Sequence, residues 1–196
     1  MADSLESLLA EVRACRHCEA HLPLGCRPVL AAGRAARLLI IGQAPGTRVH
    51  ASGIPWNDPS GDRLRGWMEI TRTAFYDPQR VAIMPMGFCY PGAAKGGGDA
   101  PPRAECAPLW HGRITAELAN IELTLLVGGY AQRYYLRTRD SVTETVRGWR
   151  DRLPGTLALP HPSWRTKSWV KRNPWFEAEV VPELRSHVRR LLRRRT

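Results

Sequence analysis

Four short apolar runs, set between stretches of helical periodicity, constrain this chain more than any other feature. Arg37 to Gly42 reads R-L-L-I-I-G; Val81–Met86, Glu122–Val127 and Thr156–Leu159 are the other three. A short run without polar alternation is the pattern of a parallel strand buried on both faces. Helical spacing precedes and separates the runs. Leu5, Leu8, Leu9 and Val12 mark a helix over Ser4–Arg16, and Leu64, Trp67, Met68 and Ile70 mark one starting at Asp62. Further helices are expected at Arg103–Leu118, Tyr130–Tyr135 and Ser141–Leu153, the last opened by the capping-box pair Ser141 and Glu144. Beyond Asn173-Pro174, Leu184, Val188, Leu191 and Leu192 form an apolar stripe, and Pro182 should kink or restart the helix that carries it. The alternation implies an α/β fold: a three-layer α/β/α sandwich around a central, mainly parallel four-stranded sheet. No repeat or domain boundary interrupts it, so residues 1–196 are expected to form a single domain.

In such a sheet, function collects in the loops that leave the carboxyl ends of the strands. Here those loops begin at Gln43, Gly87, Gly128 and His161, and Gln43–Gly61 and Gly87–Pro102 are long, irregular and rich in glycine and proline. In the first, Gly42 and Gly46 permit close backbone approach, Pro45 stiffens the turn, and Trp56 offers a planar face. Asp58 and Asp62 supply carboxylates that double as turn or cap residues, and His50 is a candidate proton carrier. Neither G-x-x-x-x-G-K-[ST] nor G-x-G-x-x-G is present, which argues against the common phosphate loops. The last loop reads His161-Pro162-Ser163-Trp164-Arg165, an imidazole at a strand end followed by a cation suited to phosphate.

Charge narrows the partner. Lys and Arg number 29 against 18 Asp and Glu, a net charge of +11, and only Lys95, Lys167 and Lys171 are lysines. Arginine grips phosphate through a planar fork, so the excess points to a polyanion. The arginines near the C-terminus, Arg185, Arg189, Arg190 and the run Arg193–Arg195, admit two readings. They are a solvated helix end whose charge complements the dipole, or a surface that tracks DNA. No apolar run approaches the roughly 18 residues of a membrane span, and no basic-then-apolar leader opens the sequence, so a cytoplasmic protein is expected.

The five cysteines are Cys15, Cys18, Cys26, Cys89 and Cys106. An odd number here argues against a disulfide scaffold. Cys15-Arg16-His17-Cys18 is a C-x-x-C that precedes the first strand, an unusual place for a redox pair. Four thiolates suit iron–sulfur or zinc, and buried free thiols fit the spacing equally well.

Taken together these motifs resemble the uracil-DNA glycosylase superfamily, most closely its iron–sulfur bacterial and archaeal branch, as a divergent subgroup. The likeness rests on Cys15 and Cys18 after the first helix and on Gly42-Gln43-Ala44-Pro45-Gly46 in place of G-E-A-P-G. It rests also on Gly53-Ile54-Pro55-Trp56 in place of G-x-P-[FY], on Cys89 and Cys106, and on His161-Pro162-Ser163. The resemblance implies a DNA glycosylase that flips a deaminated base and hydrolyses its N-glycosidic bond, with DNA as partner and a monomer as the acting form. It implies stacking on Trp56, hydrogen bonding to the leaving base by His161, and main-chain donors around Gln43 and Ala44. Ser163, Arg165 and Arg48 would lie along the nucleotide. It also implies a [4Fe–4S] cluster on Cys15, Cys18, Cys89 and Cys106, leaving Cys26 as a spare thiol.

Two departures set this chain apart. The motif acid is Gln43, and Met84-Pro85-Met86-Gly87-Phe88-Cys89 lacks the asparagine expected to read a uracil edge. Asp58, two residues beyond Trp56, is the expected substitute acid ahead of Asp62, and Asn57 the nearest amide for a base edge. Two other classes compete: a non-hydrolytic nucleic-acid-binding protein on the same fold, favoured by Gln43, and a redox or metal module centred on the cysteines.

Overall fold

A computed structural model describes residues 4–193. In chain order the elements are α1 (Leu5–Ala14), β1 (Leu38–Ile41), α2 (Thr47–Ser52), α3 (Pro59–Met68), α4 (Arg72–Phe75), β2 (Val81–Ile83) and α5 (Cys106–Ala116). They continue with β3 (Leu123–Val127), α6 (Gly129–Leu136), α7 (Val142–Arg147), β4 (Thr156–Leu159), α8 (Thr166–Arg172) and α9 (Val181–Arg193). The four strands lie in the order β2-β1-β3-β4, and every neighbouring pair is parallel. The chain therefore enters the sheet at β1, places β2 on one side and then crosses to β3 on the other. That reversal opens a crevice at the carboxyl ends, where ligands of such sheets bind.

Helices cover both faces, as the unbroken apolar runs require. Leu38, Ile40, Val81, Ile83, Leu125 and Val127 pack with Leu64 and Met68 of α3, Phe176, and Leu184 and Val188 of α9. Leu39, Ile41, Ala82, Met84 and Leu126 pack against Leu5, Leu9 and Val12 of α1 and Trp110 and Ile114 of α5. Each fully buried Leu or Ile of β1 contributes on the order of 1.5–3 kcal/mol. This is the expected α/β/α sandwich.

Local signals set the helix ends. Ser4 accepts from the Ser7 N–H to start α1, and Ser141 and Glu144 form the expected capping box at α7. The helix expected to run on to Leu153 stops at Arg147, and after Gly148 the chain tightens into a 3-10 turn at Trp149–Arg152. α3 starts three residues ahead of Asp62, because Asp58 caps it and Pro59 fits its first turn. Three helices escape the periodicity: α2, which buries only Val49, α4, which buries only Phe75, and α8, which buries only Thr166. Pro182 sits at the second position of α9, just after a π-helical turn at Phe176–Val180, so the helix restarts there as expected.

α9 closes the amino edge of the sheet. Arg185 donates from Nε to the Trp67 carbonyl and from Nη2 to that of Gly66, both 3.1 Å, at the C-terminal end of α3. Arg189 pairs with Glu69 at 3.3 Å, and Arg37, just before β1, donates to the Leu191 carbonyl. Arg189, Arg190 and Arg193 border one shallow groove with Ser186. The described arginines thus lie at the end of the sheet opposite the crevice, Arg185 and Arg189 engaged with the end of α3 and with Glu69. Arg194 and Arg195 fall outside the described residues.

Candidate active site

Trp56 is held in a conformation that a bulky residue seldom adopts. Its φ is 56°, in the left-handed region. Its carbonyl accepts from Arg65 Nη1 at 3.1 Å and from the Tyr76 hydroxyl at 3.2 Å. Arg65 is itself only 5% exposed and pairs with Asp62. A side chain at Gly61 would stand 1.8 Å from that same carbonyl oxygen. At the end of β1, a Cβ on Gly42 would come within 2.7 Å of the indole, so glycine is what lets the ring lie against the strand end. Strain fixed this firmly by its surroundings is typical of ligand sites.

His161 faces this ring from the loop after β4. Their centroids are 5.8 Å apart with planes inclined by 33°. Thr166 Oγ1 donates to the His161 carbonyl, and Arg63 of α3 donates to the carbonyls of Pro162 and Ser163. Gly128, at φ +87°, approaches His161 closely enough that a Cβ would sit 3.3 Å from the histidine's own. Burial lowers the His161 pKa and the Asp58 charge only partly offsets it, so the ring is neutral at physiological pH and donates from one nitrogen.

Both rings line a cleft of about 370 Å³, the size of a small-molecule pocket. The structure brings Gly42, Gln43, Ala44, Pro45, Gly46, Trp56, Asp58, His161, Ser163 and Arg165 together on its walls. Asp58 also caps α3, its Oδ1 accepting from the Gly61 N–H at 2.8 Å. Gln43 Nε2 donates to the Ala100 carbonyl at 3.3 Å. Asn57 is not brought in: it lies off the cleft walls and its Oδ1 accepts from Arg72 Nη2 at 3.3 Å. Asp62 is committed to Arg65. Arg48 and His50 sit on α2 away from the walls, and His50 Nδ1 is buried without a partner.

Two of the polar or aromatic lining residues that escape the sequence reading stand out. Trp164 is 71% exposed at the mouth, with the Arg165 guanidinium 5.0 Å from its ring centre. Asp99 arrives on a small hairpin, Gly92–Ala100, folded from the long loop after β2. The run Gly96-Gly97-Gly98 before it signalled a turn, but nothing in the pattern told where the turn would land.

The floor comes from the segment after β2. Met86 N–H donates to the Gly42 carbonyl at 2.9 Å and Gly87 N–H to that of Gln43 at 3.0 Å, and Pro85 lines the cleft. His111 of α5, 2% exposed, supports it: Nε2 lies 3.1 Å from the Pro85 carbonyl and Nδ1 2.7 Å from the Tyr135 hydroxyl. Burial drops the His111 pKa to about 4, so the ring is neutral, giving Nε2–H to Pro85 and accepting from Tyr135.

All five cysteines, Cys26 included, border a second, small cavity together with Pro28, Phe88 and Trp110. Cys106 Sγ accepts from the Phe88 N–H at 3.4 Å. Burial pushes the Cys89 and Cys106 thiols up to about 12 and raises Cys18, each further lifted by neighbouring thiolates. Among the described residues, no group of three or more His, Cys, Asp or Glu side chains is arranged to hold a metal ion. No described helix is long and apolar enough to cross a membrane.

A doubly wound α/β/α sandwich, with an aromatic face, a neutral imidazole and carboxylates in its carboxyl-edge crevice, defines a protein built to bind a planar ligand there. More particularly, the chain belongs to the uracil DNA glycosylase superfamily, whose family model matches residues 31–185. That span holds every cleft-lining residue except Val29 and leaves Cys15, Cys18 and Cys26 outside.

Proposed function

We propose that this protein is a DNA glycosylase that hydrolyses the N-glycosidic bond of uracil or another deaminated base, flipped out of the helix into the cleft. The observation that carries the reading is the neighbouring pair: the strained Trp56 indole and the neutral, partly buried His161 lining one pocket. Breaking the glycosidic bond builds positive charge on the sugar and negative charge on the departing base. His161 N–H donates to the base oxygen as its charge grows, and the main-chain N–H groups of Gln43 and Ala44 add donors. Trp56 stacks on the extruded ring, which returns about 1–3 kcal/mol against an unstacking cost of a few kcal/mol. Asp58 lends negative charge to the sugar side. Arg165 and Ser163 hold the backbone of the flipped nucleotide, and exposed Trp164 fits the part of an apolar wedge at the vacated base step.

The cysteine cavity supports placement in the iron–sulfur branch. Four partly buried thiols around one small cavity suit a soft, thiolate-bound group, which would relieve the raised pKa values of Cys18, Cys89 and Cys106. Cys15, Cys18, Cys89 and Cys106 would hold a [4Fe–4S] cluster. When bound, it supplies a covalent tie between the first helix and the cleft's floor. The reading includes a single domain over residues 1–196, a monomer and a cytoplasmic site of action. A purely binding protein would use Trp56 but has no need for a neutral imidazole beside it.

The test is abasic-site formation on oligonucleotides carrying uracil, hypoxanthine or xanthine, single- and double-stranded, with anaerobically purified protein. Product that disappears in His161→Ala, with DNA binding retained, supports the glycosylase. Tight binding without product on any substrate refutes hydrolysis and leaves the binding protein.

A further inference from the structure

Hydrolysis needs a group to take the proton from water, and the cleft walls carry two carboxylates, Asp58 and Asp99. Asp58 has one oxygen engaged by the Gly61 N–H as the cap of α3. Asp99 has no hydrogen bond or ion pair among the described residues, although it lies beside another carboxylate. Asp99 is an exposed residue on the cleft wall, so its carboxylate is free to meet a water there. Its placement is built. Asp99 bridges to Ala93, the Ala100 N–H donates to the Gly92 carbonyl at 2.8 Å, and the Ala94 N–H donates to that of Gly98 at 2.9 Å. Gly97 and Gly98, both at φ +84°, turn the hairpin, and Arg165 lies against them: a Cβ on Gly98 would meet its Nη1 at 3.3 Å. The Gln43 amide ties the hairpin to the strand-end loop through the Ala100 carbonyl, one residue from the acid. Asp99 Oδ2 then reaches within 3.2 Å of where a Cβ on Gly46 would be.

We infer that Asp99, delivered by the Gly92–Ala100 hairpin and positioned by Gln43, is the base that activates the hydrolytic water. The inference rests on the glycosylase reading. The water oxygen bonds to the anomeric carbon of the sugar while the C–N bond breaks and its electron pair leaves on the base. The water proton passes to the Asp99 carboxylate. The base anion, held by the His161 N–H, takes a proton from solvent, and Asp99 releases its own. This gives Gln43 a reason to be an amide: a carboxylate there would face the Ala100 carbonyl and a second acid, whereas the amide N–H anchors the loop. Burial, with the Asp58 charge adding to it, raises the Asp99 carboxyl above the usual range, which strengthens it as a base.

The experiment is single-turnover base release by Asp99→Asn, Asp58→Asn and His161→Ala, with DNA affinity and melting temperature measured on each. Expected is a loss of about 10²–10⁴-fold in Asp99→Asn, the range of general-base catalysis. It should exceed the Asp58→Asn loss by roughly tenfold or more, with affinity and melting temperature retained. Asp99→Ala, which leaves room for a small acid, should regain rate with added formate, a rescue that a merely structural carboxylate does not give. An Asp99→Asn rate within about threefold of the parent, while His161→Ala is inactive, overturns the inference and leaves the glycosylase reading standing. Failure of formate to rescue at any concentration also overturns it. A parent protein that releases no base refutes both.

Discussion

Replacing His111 tests whether a neutral imidazole braces the cleft floor. The ring is buried, its Nε2–H feeds the Pro85 carbonyl, and the Tyr135 hydroxyl occupies Nδ1. Burial is the larger influence on its pKa, and the Pro85 bond opposes it only in part, leaving a value of about 4 against an ordinary 6.5. The folded pKa is thus depressed. Above pH 6.5 both folded and unfolded chains carry the ring neutral, and it adds no pH dependence. As the pH falls from 6.5 toward 4, the unfolded chain binds a proton that the folded chain refuses, and stability drains away. The full difference corresponds to roughly 3 kcal/mol, of which about 2 kcal/mol is lost by pH 5. Other groups titrate in the same window, so the informative quantity is a double difference. Urea unfolding of the parent and of His111→Gln at pH 7.5 and pH 5 gives it. The glutamine variant should be less stable at pH 7.5, by about 1–3 kcal/mol for the imperfectly replaced bonds. The gap should narrow by about 2 kcal/mol at pH 5. A gap constant within about 0.5 kcal/mol between the two pH values would refute the argument, because it would mean the ring is protonated as readily inside as outside.

Three further outcomes follow from the same geometry. Gly61→Ala, whose Cβ would stand 1.8 Å from the pinned Trp56 carbonyl, should lose about 3 kcal/mol or more. Gly66→Ala, in the same helix with nothing within 4 Å, should gain about 0.5–1 kcal/mol; equal effects in thermal melts would contradict the packing. Trp56→Ala should weaken capture of an extruded base by about 1–3 kcal/mol. This is read as fluorescence of a 2-aminopurine opposite the lesion, and an unchanged signal would remove the stacking role. Anaerobically purified protein should show broad visible absorbance and bound iron that Cys89→Ser and Cys106→Ser each reduce; colourless, iron-free protein would defeat the cluster.

What the sequence disclosed divides along physical lines. Strands such as Leu38–Ile41 were legible because a strand buried on both faces must be apolar at every position, a demand that leaves few alternatives. α1 and α9 were legible because each presents one stripe to the core. α2, α4 and α8 were not, since a helix of four to seven residues with one buried side chain leaves no period to count. The cleft follows the same division. Trp56 and His161 stand close to strand ends, where sheet topology alone brings loops together, and the structure gathers them. Asn57, one residue beyond Trp56, was assigned by proximity in sequence. The left-handed turn at Trp56 sends the chain toward Arg72 instead, a consequence of hydrogen bonds from Arg65 and Tyr76 that no local pattern encodes. Asp99 was overlooked for the converse reason. It lies 41 residues downstream of Asp58, the expected acid, and its approach to Gly46 depends on a hairpin tied by the amide of Gln43. Gln43, read alone, is a lost acid. Read with the hairpin it anchors, it is the tie that holds the proposed base Asp99 on the cleft wall, and the two readings differ in whether the Asp99 carboxylate is needed for turnover.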